Sequence, residues 1–211
     1  NRVVETDSHR LEEVAPGVFL AQSTARLFNS NALVIVNEDD ILVVDSHITP
    51  RKARQLQKSI QKVSENPVTT LVNSHFHYDH AHGNQAFGKD VTIIGHEYTR
   101  MKMARKPLEE ATYVRGKAGT MAGLAAARTA YDAESDKDKR KELKSQLDVM
   151  TAHAKAWEGI NPVPPSVTLA DRMVLFHGSR EIQLHFFGRA HTGGDIVIYL
   201  PADKLAFTGD M

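Results

Sequence analysis

Val68-Thr69-Thr70-Leu71-Val72-Asn73-Ser74-His75-Phe76-His77-Tyr78-Asp79-His80 is the stretch on which the reading of this 211-residue chain turns. The β-branched, apolar run from Val68 to Asn73 predicts a buried strand, and it delivers the chain into a histidine-rich segment. His75, His77, His80 and His82, four of the 11 histidines, fall within eight residues, with Asp79 among them. In extended backbone residues i and i+2 share a side, so His75 and His77 can face one metal together. The loop that follows can turn Asp79 and His80 toward a neighbouring position. Imidazole nitrogen and carboxylate oxygen suit Zn²⁺ and other borderline divalent cations, and the spacing alone predicts a dinuclear site. A lone histidine is ordinarily a surface or loop residue without a metal. This clustering just after a strand argues against that here.

Working outward, Gly17 to Ala21, Ala32 to Val36 and Ile41 to Val44 predict three strands, and the last ends in Asp45. Thr49 followed by Pro50 is an N-cap and first helical position, and Ala53, Leu56, Ile60 and Val63 form one buried stripe. Val91 to Gly95 is a further strand. From Glu97 to Gly159 the sequence turns Ala-, Lys- and Glu-rich. Leu143, Leu147, Met150, Ala154 and Trp157 form a helical seam, so two or three helices are expected there, read as a structural insertion packed on the core rather than a lid. Strands resume at 172–176, 181–187, 196–200 and 205–207.

The composition is that of a globular chain: 41% hydrophobic and 25% charged residues exclude a disordered one. Lys+Arg and Asp+Glu are 26 each, which argues against a broad nucleic-acid-binding or anionic-membrane surface, so no nucleic acid and no membrane are expected as partners. No segment approaches the roughly 20 apolar residues of a membrane span. Cysteine is absent, which removes disulfides, thiolate ligands and thiol nucleophiles together. The start lacks both an initiator Met and an apolar leader, which tips the expectation weakly toward an exported, periplasmic bacterial protein.

The segment His75-Phe76-His77-Tyr78-Asp79-His80 resembles the His-x-His-x-Asp-His signature of the metallo-β-lactamase superfamily. Asp45, in Val43-Val44-Asp45, matches the family's upstream Asp. Gly188-Arg189-Ala190-His191-Thr192-Gly193-Gly194-Asp195 resembles the segment that supplies the next histidine ligand, and Phe207-Thr208-Gly209-Asp210 the one ending in the metal-bridging Asp. The resemblance spans about residues 15–211. It implies an α/β fold, a four-layer αβ/βα sandwich, with 1–211 as a single domain, a helical insertion over 97–160 and the C-terminal part of the fold missing after 211.

Carried over residue by residue, the resemblance implies that His75, His77 and His191 hold the first metal. Asp79 and His80 hold the second, and Asp210 bridges the two. The family's further downstream histidine has no counterpart up to Met211, so two zinc ions are expected in the complete site and one in a fragment; iron or manganese suits the same donors. A fragment would expose apolar sheet surface and so favour a homo-oligomer.

Asp45 is expected to orient a ligand rather than to bind the metal, and Asp79 to accept or orient a proton of the water while serving as a ligand. His47, near the presumed groove, is a candidate for contacting a substrate. His82 is expected to line the pocket or contact a helix start, and His96, His177 and His185 to be ordinary strand neighbours. Nothing in the sequence singles out His9 or His153.

A metal pair acidifies water enough to supply hydroxide at neutral pH and polarises the substrate oxygen. The expected function is therefore a zinc-dependent metallo-hydrolase acting on a small-molecule ester, lactone, thioester or amide, β-lactams included; phosphate and sulfate esters fit as well. Lactamases with a Cys ligand are excluded by the missing cysteine, and Asp210 resembles the bridging Asp of glyoxalase II, lactonases and ribonuclease Z. Two alternatives use the same residues: an iron-dependent oxidoreductase resembling persulfide dioxygenases, and a metal-binding module inactive as a fragment.

Overall fold

The computed structural model describes residues 2–24 and 30–211. They form two compact units, residues 1–107 with 161–211, and residues 108–160.

The first unit is built on two sheets. Strands β1 (Val3–Glu5), β2 (His9–Ala15), β3 (Val18–Ser23), β4 (Asn31–Val36), β5 (Ile41–Val44), β6 (Val68–Val72), β7 (Thr92–His96) and β8 (Val167–Leu169) form an eight-stranded sheet in sequence order. It is antiparallel through β5 and parallel from β5 to β8. Strands β9 (Arg172–His177), β10 (Arg180–His185), β11 (Val197–Leu200) and β12 (Leu205–Phe207) form an antiparallel four-stranded sheet in the order β12-β11-β10-β9. The strand reading at 18–23, 31–36, 41–44, 68–72, 92–96 and 172–207 holds to within a residue or two. β1, β2 and β8 are additions: β2 (His9-Arg10-Leu11-Glu12-Glu13-Val14-Ala15) carries too many charges to read as an apolar run, yet it pairs along β3 and buries Leu11.

Helix α1 (Pro50–Ile60) crosses from β5 to β6. Thr49 caps it as the sequence predicts: its Oγ1 accepts the Lys52 N–H at 3.2 Å, and Pro50 takes the first helical position. Its buried stripe, Ala53, Leu56 and Ile60, packs with Leu11, Phe19, Val34, Val43 and Leu71 on one face of the large sheet. The other face joins the second sheet: Leu33, Ile35, Leu42, Val44, Val72 and Ile94 meet Ile182, Leu184, Ile196, Ile198 and Leu200. Each aliphatic side chain withdrawn from water this way contributes about 1.5–3 kcal/mol, so the two sheets are fixed against each other by their shared core. Because β5 and β6 are parallel and Val44 pairs with Val72, the residues that follow them, Asp45 and Asn73 to His75, emerge on one edge.

Short helix α2 (Tyr78–Ala81) follows the histidine strand, and α3 (Glu97–Arg105) follows β7. Met103 of α3 packs with Phe76 and Ala81, which ties α3 to the histidine segment. The helical region expected over 97–160 therefore divides, with α3 in the first unit and residues 108–160 compact by themselves. That second unit holds α4 (Ala111–Ala133) and α5 (Lys137–Ala156). Asp136 caps α5 by accepting the Asp138 and Lys139 N–H groups. The predicted seam buries Leu147, Ala154 and Trp157, and the Trp157 indole donates to Thr120 Oγ1 at 3.2 Å. Among the described residues no helix is long and apolar enough to cross a membrane.

Candidate metal centre

Asp45 is the buried foundation of the site. Its side chain is fully inaccessible, a placement a carboxylate tolerates only when its oxygens are satisfied. Oδ1 accepts the Ser74 backbone N–H at 2.8 Å. Oδ2 accepts the Ser74 hydroxyl at 2.7 Å and the His80 Nδ1–H at 2.8 Å. Those bonds span 29 and 35 residues of sequence and join the ends of β5 and β6. Asp45 and His47 both lie in the left-handed region, at φ 66° and 64°. Ser46 N–H donates to the His80 carbonyl at 2.7 Å, and Gly83 N–H to the His47 carbonyl at 2.9 Å. A Cβ on Gly83 would sit 1.9 Å from the Ser46 carbonyl oxygen, so only glycine allows this approach.

The imidazoles are turned by the same polar layer. Ser74 Oγ, having donated to Asp45, accepts from His75 Nδ1 at 3.1 Å. That leaves the lone pair on His75 Nε2, the nitrogen nearest His77. His75 Nε2 and His191 Nε2 each stand 3.1 Å from His77 Nδ1, and the three nitrogens form one potential donor group. Two Zn–N bonds of about 2.0–2.1 Å at a tetrahedral angle put their nitrogens roughly 3.3 Å apart, close to the two 3.1 Å separations, so these imidazoles suit a shared ion. His75, His80 and Asp210 form a second group. His80 Nε2 lies 3.1 Å from Asp210 Oδ1, and Asp210 Oδ2 is 3.7 Å from His191 Nε2 and 4.0 Å from His75 Nε2. One oxygen of the Asp210 carboxylate thus faces His80, and the other faces two histidines of the first group. Asp79, on α2, places Oδ2 3.6 Å from His80 Nε2, outside both groups and half open to solvent.

His191 and Asp210 arrive from the second sheet, on the loop after β10 and the turn after β12. Thr192 N–H and Oγ1 both bind the Asp195 carboxylate, at 2.6 and 2.9 Å, and Ile196 N–H donates to the Ser74 carbonyl at 2.8 Å. The His191 loop is thereby pinned to the strand end that carries His75.

Protonation follows from these contacts. Burial, reinforced by the His80 and His77 charges, drives His75 down to about 2, so it stays neutral. Burial opposes charging His80 as well. There Asp45, with Asp210 and Asp79, outweighs it and holds His80 well above its ordinary value. Asp210 is held down to about 2, first by its hydrogen bond from His80. The metal-free second group is therefore an imidazolium–carboxylate pair, and the first a set of converging imidazole nitrogens.

Five of the six sequence-predicted metal residues come together in the two donor groups, above Asp45, whereas Asp79, expected as a ligand beside His80, lies outside both. His47 does not face a substrate: it is buried at 1% exposure and bonded to His9 and Ser30. His96 caps α3 by accepting the Tyr98 N–H, and His177 pairs with Asp40 at 2.7 Å. Sequence reasoning missed Ser74, the link between Asp45 and His75, and the buried Asn73–Asn84 amide pair beneath it, joined by reciprocal bonds of 3.0 and 2.8 Å. For Ser74 and Asn73 the position just after β6 was the available signal; Asn84, twelve residues past the strand, had none.

The family model of the metallo-β-lactamase superfamily matches residues 25–211. Among curated proteins, the linear primary-alkylsulfatase of Pseudomonas sp. (strain ATCC 19151) is 23% identical over 175 residues, 82% of this chain and 31% of that protein. The chain thus spans about a third of that relative's length. Among solved structures, a metallo-β-lactamase from Pontibacter korlensis superposes with a TM-score of 0.64 at 16% identity, covering 95% of this chain and 70% of the other. The DIM-1 metallo-β-lactamase gives 0.60 at 19%, covering 99% and 71%. Those likenesses speak for the fold alone. With the family match extending over most of its length, this chain belongs to the metallo-β-lactamase superfamily.

Proposed function

We propose that the chain is a metal-dependent hydrolase of esters, with the sulfate ester of a primary alcohol as its favoured substrate class. The observation that carries the hydrolase reading is the pair of adjoining donor groups that share His75, with the Asp210 carboxylate of one reaching toward His191 of the other. Zinc is the expected metal, since nitrogen and carboxylate donors without thiolate suit it. The matched alkylsulfatase supports the sulfate ester. A cation pair supplies Lewis acidity, making water a nucleophile at neutral pH and drawing charge from the substrate oxygen.

The chain's own residues supply the rest. His75, His77 and His191 would hold one ion; His80 and Asp210 would hold the other, with His75 at the boundary between them. Asp45 fixes the His80 ring, keeping its proton on Nδ1 so that Nε2 can act as a donor. In this reading Asp79, whose Oδ2 lies 3.6 Å from His80 Nε2 with its side chain 34% exposed, would take a proton from the attacking water. The test is elemental analysis of the purified full-length protein, then turnover assays on primary alkyl sulfates, carboxylic esters, lactones, thioesters and a β-lactam. Zinc with alkyl sulfate turnover is expected. Zinc with turnover of another substrate would overturn the substrate class alone. Tightly bound iron with no hydrolysis would overturn the hydrolase reading in favour of redox chemistry.

A further inference from the structure

A second polar cluster lies behind the candidate centre, and the hydrolase reading does not use it. His9, on β2, is fully buried, and its Nε2 lies 2.9 Å from His47 Nε2. The rings stack with centroids 5.0 Å apart at 27°. The outer nitrogens are also engaged: His47 Nδ1 with Ser30 Oγ at 2.5 Å, and His9 Nδ1 with Ser8 Oγ at 2.9 Å and Ser59 Oγ at 3.2 Å. Ser59 Oγ in turn meets Thr6 Oγ1 at 2.9 Å. Between the two Nε2 atoms exactly one proton fits. One neutral imidazole donates, the other accepts, and the serine hydroxyls rotate to match. Burial, with Lys52 nearby, lowers His9 to about 4. Burial, with His9, Lys52 and His80 nearby, takes His47 well below its ordinary value. Both rings are therefore neutral at physiological pH, as this bookkeeping of protons requires.

His47 is the third residue of the Asp45-Ser46-His47 turn, whose first and third members hold left-handed backbone without being glycine. Such a turn persists only where its surroundings over-determine it. On one side it is held by the Asp45 bonds to Ser74 and His80. On the other it is held by the imidazole of His47, tied at both nitrogens. His9 lies outside the residues matched by the family model, which begin at 25, whereas Ser30 and His47 lie within them.

We propose that the Ser30–His47–His9 chain is a clamp that positions Asp45, and through Asp45 the His80 ring, so that it sets the affinity of the second metal group without touching it. The inference rests on the metal-centre reading for its consequence, but its geometry can be tested without a metal. His9→Phe keeps a ring of similar bulk and removes its three side-chain contacts, to His47, Ser8 and Ser59; Ser30→Ala removes the other tie of His47; His9→Gln supplies an amide that can donate to or accept from His47.

Two measurements on the full-length protein decide the matter. The first is the solvent exchange rate of the His80 Nδ1 proton in the metal-free protein, read by NMR. The second is a cobalt titration followed by visible absorbance. In His9→Phe and Ser30→Ala the His80 proton should exchange about 10-fold faster, and the His80–Asp210 group should bind cobalt about 10-fold more weakly, the lower end of what losing an outer partner of a ligand costs. The group of His75, His77 and His191 should bind as in the wild type, and His9→Gln should recover most of the loss. If His9→Phe lowers the unfolding midpoint yet leaves His80 exchange and both cobalt affinities unchanged, the pair is only core packing and the clamp is refuted. If the wild type takes up no cobalt, the metal-centre reading fails, and the exchange rate alone still decides the clamp.

Discussion

Replacing Asp45 by Asn tests the logic of the centre at its least accessible point. The carboxylate accepts three hydrogen bonds, one at Oδ1 and two at Oδ2. An asparagine of the same shape has one oxygen and one NH₂. If its oxygen replaces Oδ2, the NH₂ faces the Ser74 N–H and two donors are buried against each other. If the amide flips, the NH₂ faces His80 Nδ1, and peace is kept only when His80 moves its proton to Nε2, the nitrogen that would bind a metal. Either outcome is costly. Breaking a buried, hydrogen-bonded charge pair from one side costs about 3–5 kcal/mol. Because the shape is retained and one serine hydroxyl can re-aim, about 3 kcal/mol is expected, or roughly 6–12 °C in Tm for a chain of this size. The deficit also has a pH signature. His80 is raised above its unfolded value by Asp45 and the other carboxylates against the opposing effect of burial. Its contribution is thus fully present below about pH 6.5 and fades as pH rises through the folded-state pKa. Urea denaturation of the metal-free protein should therefore show Asp45→Asn destabilised most at pH 6, with the gap closing in alkali. A metal titration should show the His80–Asp210 group weakened more than the three-histidine group. A midpoint equal to wild type at pH 6, with both metal affinities intact, would refute the claim that Asp45 organises the centre.

Three other outcomes follow from the same contacts. His77→Ala removes the nitrogen that lies 3.1 Å from both His75 and His191, so it should abolish turnover and lower the metal content of that group by elemental analysis; undiminished activity would sink the assignment. Loading the second group must displace a proton from His80, which is held charged without metal. Its metal affinity should accordingly rise with pH from about 6.5 up to the raised His80 pKa, and calorimetry in buffers of different ionisation enthalpy should count a released proton; a count of zero would contradict the imidazolium–carboxylate pair. Gly83→Ala places a Cβ 1.9 Å from the Ser46 carbonyl oxygen and should cost about 3 kcal/mol in urea denaturation. The control Gly119→Ala, mid-helix with open space, should stabilise by about 0.5–1 kcal/mol; equal effects at the two positions would show that the Asp45–His47 turn is not tightly packed.

Much of this architecture was legible because its causes are local. β5, β6 and β11 are runs buried on both faces or alternating, which β-branched residues announce, and Thr49-Pro50 caps α1 with atoms three residues apart. His75, His77 and His80 could be singled out because a strand followed by a tight turn brings neighbours in sequence together in space. His191 and Asp210 could not: the contact from His77 to His191 spans 114 residues, and only resemblance to the family's motifs pointed to them. His9 had no signal at all. Its burial is created by pairing of β2 with β3 and by a partner 38 residues away, and the surrounding Glu12 and Glu13 disguise the strand. The left-handed backbone at Asp45 and His47 was equally hidden, since neither is glycine and the conformation is imposed by Ser74, His80 and His9 rather than chosen by the residues themselves.

The distribution of burial across the centre explains why it can be both rigid and adaptable. Asp45, Ser74, His75 and His80 are inaccessible or nearly so, and each is fixed by at least one bond to another strand end. They form a floor whose ring orientations are set before any ligand arrives, and preorganisation of this kind lets polar groups act without reorganisation during a reaction. His191 and Asp210, by contrast, are about 40% exposed and sit on connections of the second sheet, where loops tolerate variation in sequence and length. A cation entering the three-histidine group displaces no proton from His75, which burial keeps neutral, whereas one entering the second group must separate His80 from Asp210. The floor therefore favours ordered filling, with the three-histidine group first, and leaves the exposed rim to discriminate among substrates. Changes along 188–195 should consequently alter which ester is cleaved, while changes at Asp45, Ser74 or His9 should weaken the His80–Asp210 group more than the three-histidine group.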